Sequence, residues 1–284
     1  MVRTHSTVAA VALAVLICLA GVGAQTAQDD ESVWRAFMAW FRTAPPTAGN
    51  PFGAYAASLQ AAKTPEAEIR RRSDLLMRMV RERSDWVEPF YDKVFARLLT
   101  GDPATDGFTG APSEILIEAV KGLTPGTALD AGMGQGRNAV YLAGHGWKVT
   151  GFDLSGEAIR VANANAAKAG VRMETVKASY ADFDFGTAKW DLIVLTFAWA
   201  PVTDPAFVAR LRTSLRPNGR IVFEHFINDR ENARPPAMYA LAPGQLRELF
   251  GGFRLDRYEE ITGLADWAGP DTPMVRMVAV KPQP

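Results

Sequence analysis

Two hydrophobic patterns divide this chain. From Ser32 to about Leu99 apolar residues recur at helical spacing and do not alternate, with Trp34, Phe37, Met38 and Phe41 on one face. Pro45-Pro46 and the following Thr-Ala-Gly-Asn-Pro break the run into a loop. Thr64-Pro65, with Glu66 and Glu68 behind them, predicts a second helix: threonine suits the cap and proline the first turn. That helix carries Ile69, Leu76, Met79 and Val80 inward and Arg70, Arg71, Arg72 and Arg81 outward as a solvated face, and Pro89 is expected to end or kink it. Phe90-Tyr91-Asp92-Lys93-Val94-Phe95 follows, then a Gly/Asp/Pro/Thr loop from Gly101 to Pro112.

Beyond that loop, short apolar runs alternate with helical stretches. Ser113 to Leu123 reads as a helix, and Ala128-Leu129-Asp130-Ala131 as a buried strand entering Gly132-Met133-Gly134-Gln135-Gly136. A helix starts near Arg137 and stops at Gly144-His145-Gly146. Val149 to Asp153 is a second strand that ends on a carboxylate. Ser155 caps the next helix, whose face of Ala158, Val161, Ala162 and Ala166 allows close packing, and Gly170 ends it. Met173 to Val176 and Asp191 to Phe197 are strands, the latter apolar enough to be buried on both faces. Asp204-Pro205 starts a helix, residues 216–220 make a turn, and Ile221 to Glu224 is a fifth strand. After a loop with Pro235-Pro236 and a helix from about Gln245, the segments Phe253 to Glu260 and Met274 to Lys281 close the chain as a terminal hairpin.

The chemistry sits at the first strand-to-helix turn. Alternate glycines let the backbone turn tightly and approach a ligand, and the following helix offers unpaired N–H groups to an anion. A dinucleotide site wants G-x-G-x-x-G; here the spacing is G-x-G-x-G, with Asp130 two residues before it. A carboxylate there repels a pyrophosphate and suits an ammonium group, and Asp153 can accept hydrogen bonds from two sugar hydroxyls. Together they describe a nucleoside crevice at the C-terminal edge of a parallel sheet.

Asp130, the three glycines, Arg137-Asn138 and Asp153 resemble motif I and the ribose-binding acid of the class I S-adenosylmethionine-dependent methyltransferases. Gly136 to Ala143, Gly146-Trp147, Asp153-Leu154-Ser155 and Tyr239 to Phe250 look like the tellurite-resistance group within that class. The resemblance covers roughly Gly122 to Lys281. It implies a Rossmann-like, seven-stranded, mostly parallel α/β sheet with an antiparallel terminal hairpin, preceded by a helical N-terminal segment. It implies S-adenosylmethionine as cofactor, held by Asp130, Gly132, Met133, Gly134, Gly136, Arg137, Asn138, Asp153, Leu154, Ser179, Tyr180 and Thr196, with Tyr91 on a lid. Ser179 stands where the family carries an adenine-binding acid, with Asp182 close enough to substitute. The implied reaction is in-line methyl transfer to a small molecule, with a thiol or a chalcogen oxyanion as the acceptor suggested. No catalytic residue is assigned; His225, Tyr180 and Asp182 are the candidates for a base, and no metal is expected. The alternatives are a nicotinamide-dependent oxidoreductase and a non-catalytic S-adenosylmethionine-binding domain.

Composition adds little except at the N-terminus. Of 284 residues, 48% are hydrophobic, ample for a core, and Lys+Arg and Asp+Glu each total 31, so no basic excess points to nucleic acid. Arg3 precedes an uncharged apolar run from Val8 to Val22, with small residues to Ala24: the layout of a secretory signal peptide over residues 1–24. Export to the periplasm or medium follows, without a stable span in the mature chain, and an uncleaved membrane anchor is the alternative. The expected division is 1–24 signal, 25–110 helical segment and lid, and 111–284 methyltransferase domain. Cys18 is the single cysteine and lies inside the apolar run, so the processed chain has no thiol nucleophile.

Overall fold

The computed structural model describes residues 29–45, 51–80, 82–98, 110–228, 240–265 and 269–283. The apolar N-terminal run, most of the loop from Gly101 to Pro112 and Pro235-Pro236 lie outside them. The chain divides into two compact units, Met1–Pro89 and Phe90–Pro284.

The described part of the first unit is helical. Helix α1 covers residues 29–43, α2 Pro51–Ala61 and α3 Glu66–Met79. Its core is aromatic: Phe37 stacks on Phe41 at 5.6 Å and on Phe52 at 5.1 Å, with Tyr55 edge-on at 5.4 Å. Trp34 is buried among them, and its Nε1–H donates to Asp85 at 3.1 Å. The outward arginines of α3 pair with Glu66 and Glu68 along the same helix face. Two boundaries differ from expectation. Pro65, not Thr64, occupies the cap of α3, which has no side-chain cap bond. Pro89 lies in the first turn of a new helix, α4 (Val87–Leu98), where its missing N–H would have no partner in any case.

The second unit is built on a seven-stranded sheet in the order β3-β2-β1-β4-β5-β7-β6. The strands are β1 (Thr127–Ala131), β2 (Lys148–Asp153), β3 (Glu174–Lys177), β4 (Trp190–Thr196), β5 (Leu215–Phe226), β6 (Arg254–Ala265) and β7 (Gly269–Val280). β3, β2, β1, β4 and β5 are parallel, while β7 runs antiparallel between β5 and β6. Helices α5 (Glu114–Val120), α6 (Arg137–Gly144), α7 (Gly156–Ala169), α8 (Pro205–Ser214) and α9 (Gln245–Leu249) connect them. Leu192, Ile193 and Val194 of β4 are fully buried, as their unbroken apolar run requires. One face of the sheet packs Phe152, Trp190, Phe207 and Phe250, the other Leu116, Leu142, Trp147 and Val222.

The predicted turn at 216–220 lies within β5, which starts at Leu215. The backbone there is paired: Asn218 N–H donates to the Lys281 carbonyl and Lys281 N–H to that of Gly219. The terminal hairpin is also longer than its alternating pattern. Phe226, the last residue of β5, pairs with Met274, and β7 begins five residues earlier, at Gly269. The hairpin therefore extends beyond β5 at the sheet edge where the parallel strands end.

Phe152 on β2 is an anchor of the larger core. It stacks on Phe183 at 4.2 Å and meets Tyr180 and Phe185 edge-on at 5.2 and 5.8 Å. Replacing it by alanine leaves an aromatic-sized void, and Phe152→Ala should cost about 3–5 kcal/mol, read as a lowered urea midpoint of the full-length chain.

Candidate active site

The turn after β1 is held by hydrogen bonds to the neighbouring strand. Gly132 and Met133 both donate their N–H to the Phe152 carbonyl, at 2.9 and 3.0 Å, and Gly136 N–H closes back on the Met133 carbonyl at 2.9 Å. Gly132, Gly134 and Gly136 take φ of 71°, 53° and 75°, which a side chain would strain. Protein atoms fill the space their missing Cβ atoms leave. A Cβ on Gly132 would lie 2.6 Å from the Tyr180 hydroxyl, one on Gly134 3.1 Å from the Phe95 ring, and one on Gly136 2.8 Å from Ala162 Cβ. Gly136 thus serves the contact between α6 and α7. The Met133 side chain is buried against Gly151, so only its backbone remains for a ligand.

Two carboxylates organise the turn. Asp130 is 2% exposed, and its Oδ2 accepts from the N–H of Ala139 at 3.0 Å, serving the first turn of α6 where Gly136 has no side chain to cap it. Burial pushes its pKa up to about 7 against the opposing pull of the Ala139 N–H and Arg137. Asp153, at the tip of β2, accepts from Gly134 N–H through Oδ2 and from Ser155 N–H through Oδ1, both at 2.9 Å. Burial raises its pKa as well, opposed by those same backbone bonds. Leu154 is half-buried beside it.

Helix α4 adds residues that the sequence reading passed over. Asp92 accepts from Ser155 Oγ at 2.6 Å and from Glu157 N–H at 3.3 Å, joining Ser155 at the N-terminus of α7. Phe95 is buried against Ala158 and Val161 and covers Gly134. Tyr91, the expected lid residue, lies 6.2 Å from Phe95 between ring centres, and its hydroxyl accepts from Trp199 Nε1–H. Asp92 and Phe95 were legible only as neighbours of Tyr91, at spacings that place them on one stretch of helix.

Other expected ligands turn out to be committed to the fold. Asn138 is buried; its Oδ1 accepts from Ser113 N–H at 2.9 Å and its Nδ2 donates to Thr196 Oγ1 at 2.7 Å. Arg137 donates to the Ala111 carbonyl at 2.9 Å. Next to Thr196 lies a buried ion pair with no signal in the sequence: Glu224 on β5 accepts from Arg276 Nε on β7 at 2.7 Å and from Ser113 Oγ. Arg276 also reaches Glu114 at 3.3 Å.

Two of the base candidates bond within the fold. The Tyr180 hydroxyl donates to the Ala131 carbonyl at 2.9 Å, and burial pushes its pKa well above the ordinary value, so it is a donor that braces the turn. Asp182 is exposed and accepts from Ser179 Oγ at 2.6 Å, closing a local turn after β3. His225 is buried and ringed by Trp199 at 5.1 Å, Phe226 at 5.4 Å, Phe223 at 6.0 Å and Phe197 at 6.5 Å. Among the described residues no group of three His, Cys, Asp or Glu is placed to hold a metal ion, and no helix is long and apolar enough to cross a membrane.

The raised pKa of Asp130 has a sign that can be measured. Between about pH 4 and pH 7 the folded chain holds a proton that the unfolded chain has lost, so this group makes stability fall as pH rises through that window. The limit is about 1.4 kcal/mol per pH unit. Asp130→Asn should flatten that slope, and its melting temperature relative to the parent chain should rise between pH 5 and pH 8.

Comparison with known proteins agrees with this geometry. Residues 128–219 match the family model described as a methyltransferase domain. Over 156 residues the chain is 25% identical to the probable S-adenosyl-L-methionine-dependent methyltransferase TehB of Haemophilus influenzae, covering 52% of this chain and 53% of TehB. It is 32% identical over 113 residues to a ubiquinone biosynthesis O-methyltransferase of Serratia proteamaculans, covering 38% of this chain and 46% of that one. The chain thus spans about half the length of these curated relatives. The crystal structure of TehB from Haemophilus influenzae superposes with a TM-score of 0.54 at 23% identity, over 61% of this chain and 63% of that one, a likeness of fold. Residues 128–219 thus carry a methyltransferase domain, and over about half its length the chain is similar to TehB.

Proposed function

We propose that this chain transfers a methyl group from S-adenosylmethionine to a small-molecule acceptor. The observation that carries the reading is Asp153: one carboxylate at the end of β2 holds the glycine turn through Gly134 N–H and the start of α7 through Ser155 N–H. Each of its oxygens accepts one of these bonds and keeps a further lone pair, which suits the vicinal hydroxyls of a ribose. Asp130 lies beneath the same turn and suits an ammonium group. The donor and acceptor set therefore fits the cofactor, with Asp153 and Leu154 at the ribose, Asp130 and the backbone of 132–134 at the methionine end, and Ser179 and Asp182 toward the adenine.

When bound, S-adenosylmethionine supplies an electrophilic methyl on a sulfonium sulfur. The chain's own contribution is alignment and exclusion of water. Phe95 on α4 lies against Gly134 with Tyr91 beside it, and these two rings are suited to excluding water when the cofactor is bound. A soft nucleophile needs no proton taken from it, which accords with Tyr180 being a donor and Asp182 being bonded to Ser179. Thiols and chalcogen anions are therefore the acceptors this reading favours. Export is part of the same proposal and rests on Arg3 and the apolar run from Val8 to Val22. Sequencing the N-terminus of the protein from its native host should place the mature start near Gln25.

The cofactor assignment is tested by titration. Asp153→Ala should weaken S-adenosylmethionine by about 2–4 kcal/mol, because charge-assisted bonds to the hydroxyls are lost. Isothermal titration against the parent chain reads this directly; equal affinity in a folded variant would remove the ribose role and, with it, this reading.

A further inference from the structure

We propose that the acceptor is a planar, uncharged aromatic or heteroaromatic molecule, bound against Trp199 at the end of β4. The inference rests on the methyltransferase reading above and narrows the acceptor of that same site.

Trp199 lies three residues beyond Thr196, the last residue of β4, on the sheet edge where α/β proteins bind ligands. It is half-buried, while the rings beneath it are not accessible: Phe197 and Phe226 are buried and 4.9 Å apart, and His225 meets the indole edge-on at 5.1 Å. A bulky residue rarely takes positive φ, yet Phe197 sits at 50°, its N–H bonded to the Glu224 carbonyl at 2.7 Å. The strand therefore ends in a fixed bend, and the three residues after it bring the indole over this aromatic base. Its N–H bonds to the Tyr91 hydroxyl, and Tyr91 stands beside Phe95, the ring that covers Gly134. A series of ring contacts thus runs from the glycine turn to Trp199.

The hairpin completes the cluster. Around the end of β5, Ala265 and Met274 pack with Phe197 and Phe226, and Ile261 joins Trp199 against them. Trp199 and Ile261 are the half-buried ring and aliphatic side chain over this buried base. Charge on this side of the sheet disfavours an oxyanion. Asp92 and Asp153 lie at the glycine turn, and the nearby Arg276 is already held by Glu224 and Glu114. A neutral ring stacks on an indole without meeting that field. Where the acceptor is an aromatic thiol, its sulfur electron pair forms the new bond to the methyl carbon. The pair of the broken bond stays on the former sulfonium sulfur, and the S–H proton of the methylated acceptor passes to solvent.

The test is binding, run on the full-length chain without cofactor, at a pH low enough to keep the aryl thiol protonated, with benzenethiol as probe and tellurite and 2-mercaptoethanol as contrasts. Benzenethiol should bind the parent chain more tightly than either contrast. Trp199→Ala should weaken it at least tenfold and Trp199→Phe less than threefold, while a separate titration of S-adenosylmethionine stays within threefold of the parent. Ile261→Ala, over the same cluster, should weaken benzenethiol by threefold or more and serves if Trp199→Ala does not fold. Equal benzenethiol affinity in the parent and in the folded variants would overturn the proposal, as would tellurite binding the parent more tightly than benzenethiol. Failure of the parent chain to bind S-adenosylmethionine would count against the preceding reading, and the cofactor-free benzenethiol titration would still decide this one.

Discussion

A single carboxylate holds together the edge of this domain where the first parallel strands end. Asp153 takes the N–H of Gly134 on one oxygen and that of Ser155 on the other, so the β1–α6 turn, the tip of β2 and the start of α7 are fixed relative to one another. Both donors are backbone groups at the open ends of structural elements, where helices and turns leave N–H groups without partners. The cost is a charge largely withdrawn from water, and its raised pKa registers that cost. Asp130 repeats the arrangement one strand away, with the N–H of Ala139 as its donor.

The glycines have a second meaning once the structure is seen. Their absent side chains make room for the protein as much as for a ligand: Tyr180 at Gly132, Phe95 at Gly134 and Ala162 at Gly136. Each contact ties a different element to the turn. Tyr180 comes from the loop after β3 and also bonds the Ala131 carbonyl, Phe95 comes from α4, and Ala162 from α7. The turn is therefore braced by three other elements of the fold, and bracing of this kind reduces the ordering cost of binding.

On the other side of the crevice, polar and aromatic residues separate. Ser113, Asn138, Thr196, Glu224 and Arg276 form a chain of buried hydrogen bonds linking α5, α6, β4, β5 and β7. A buried pair of this kind adds little net stability against an apolar substitute, but removing one partner is expensive. It fixes how β4 and β5 end, and the aromatic group of Phe197, Trp199, His225 and Phe226 is carried on those ends.

The sequence alone determined the strand, glycine turn and helix at 128–144, the carboxylate ending β2, the caps at Ser155 and Asp204, and the parallel sheet with its terminal hairpin. These features are written in local order: apolar runs, glycines at fixed spacing, and capping residues two or three positions from the N–H groups they serve. Only the tertiary structure decided what meets the glycines, that Tyr180 is a donor to the β1 carbonyl, that Asp92 joins Ser155 at α7, and that Glu224 pairs with Arg276 52 residues away. Those outcomes depend on register between strands and on the approach of one element to another. A strand shifted by a single residue would turn Glu224 to the other face, and no spacing along the chain records which register holds.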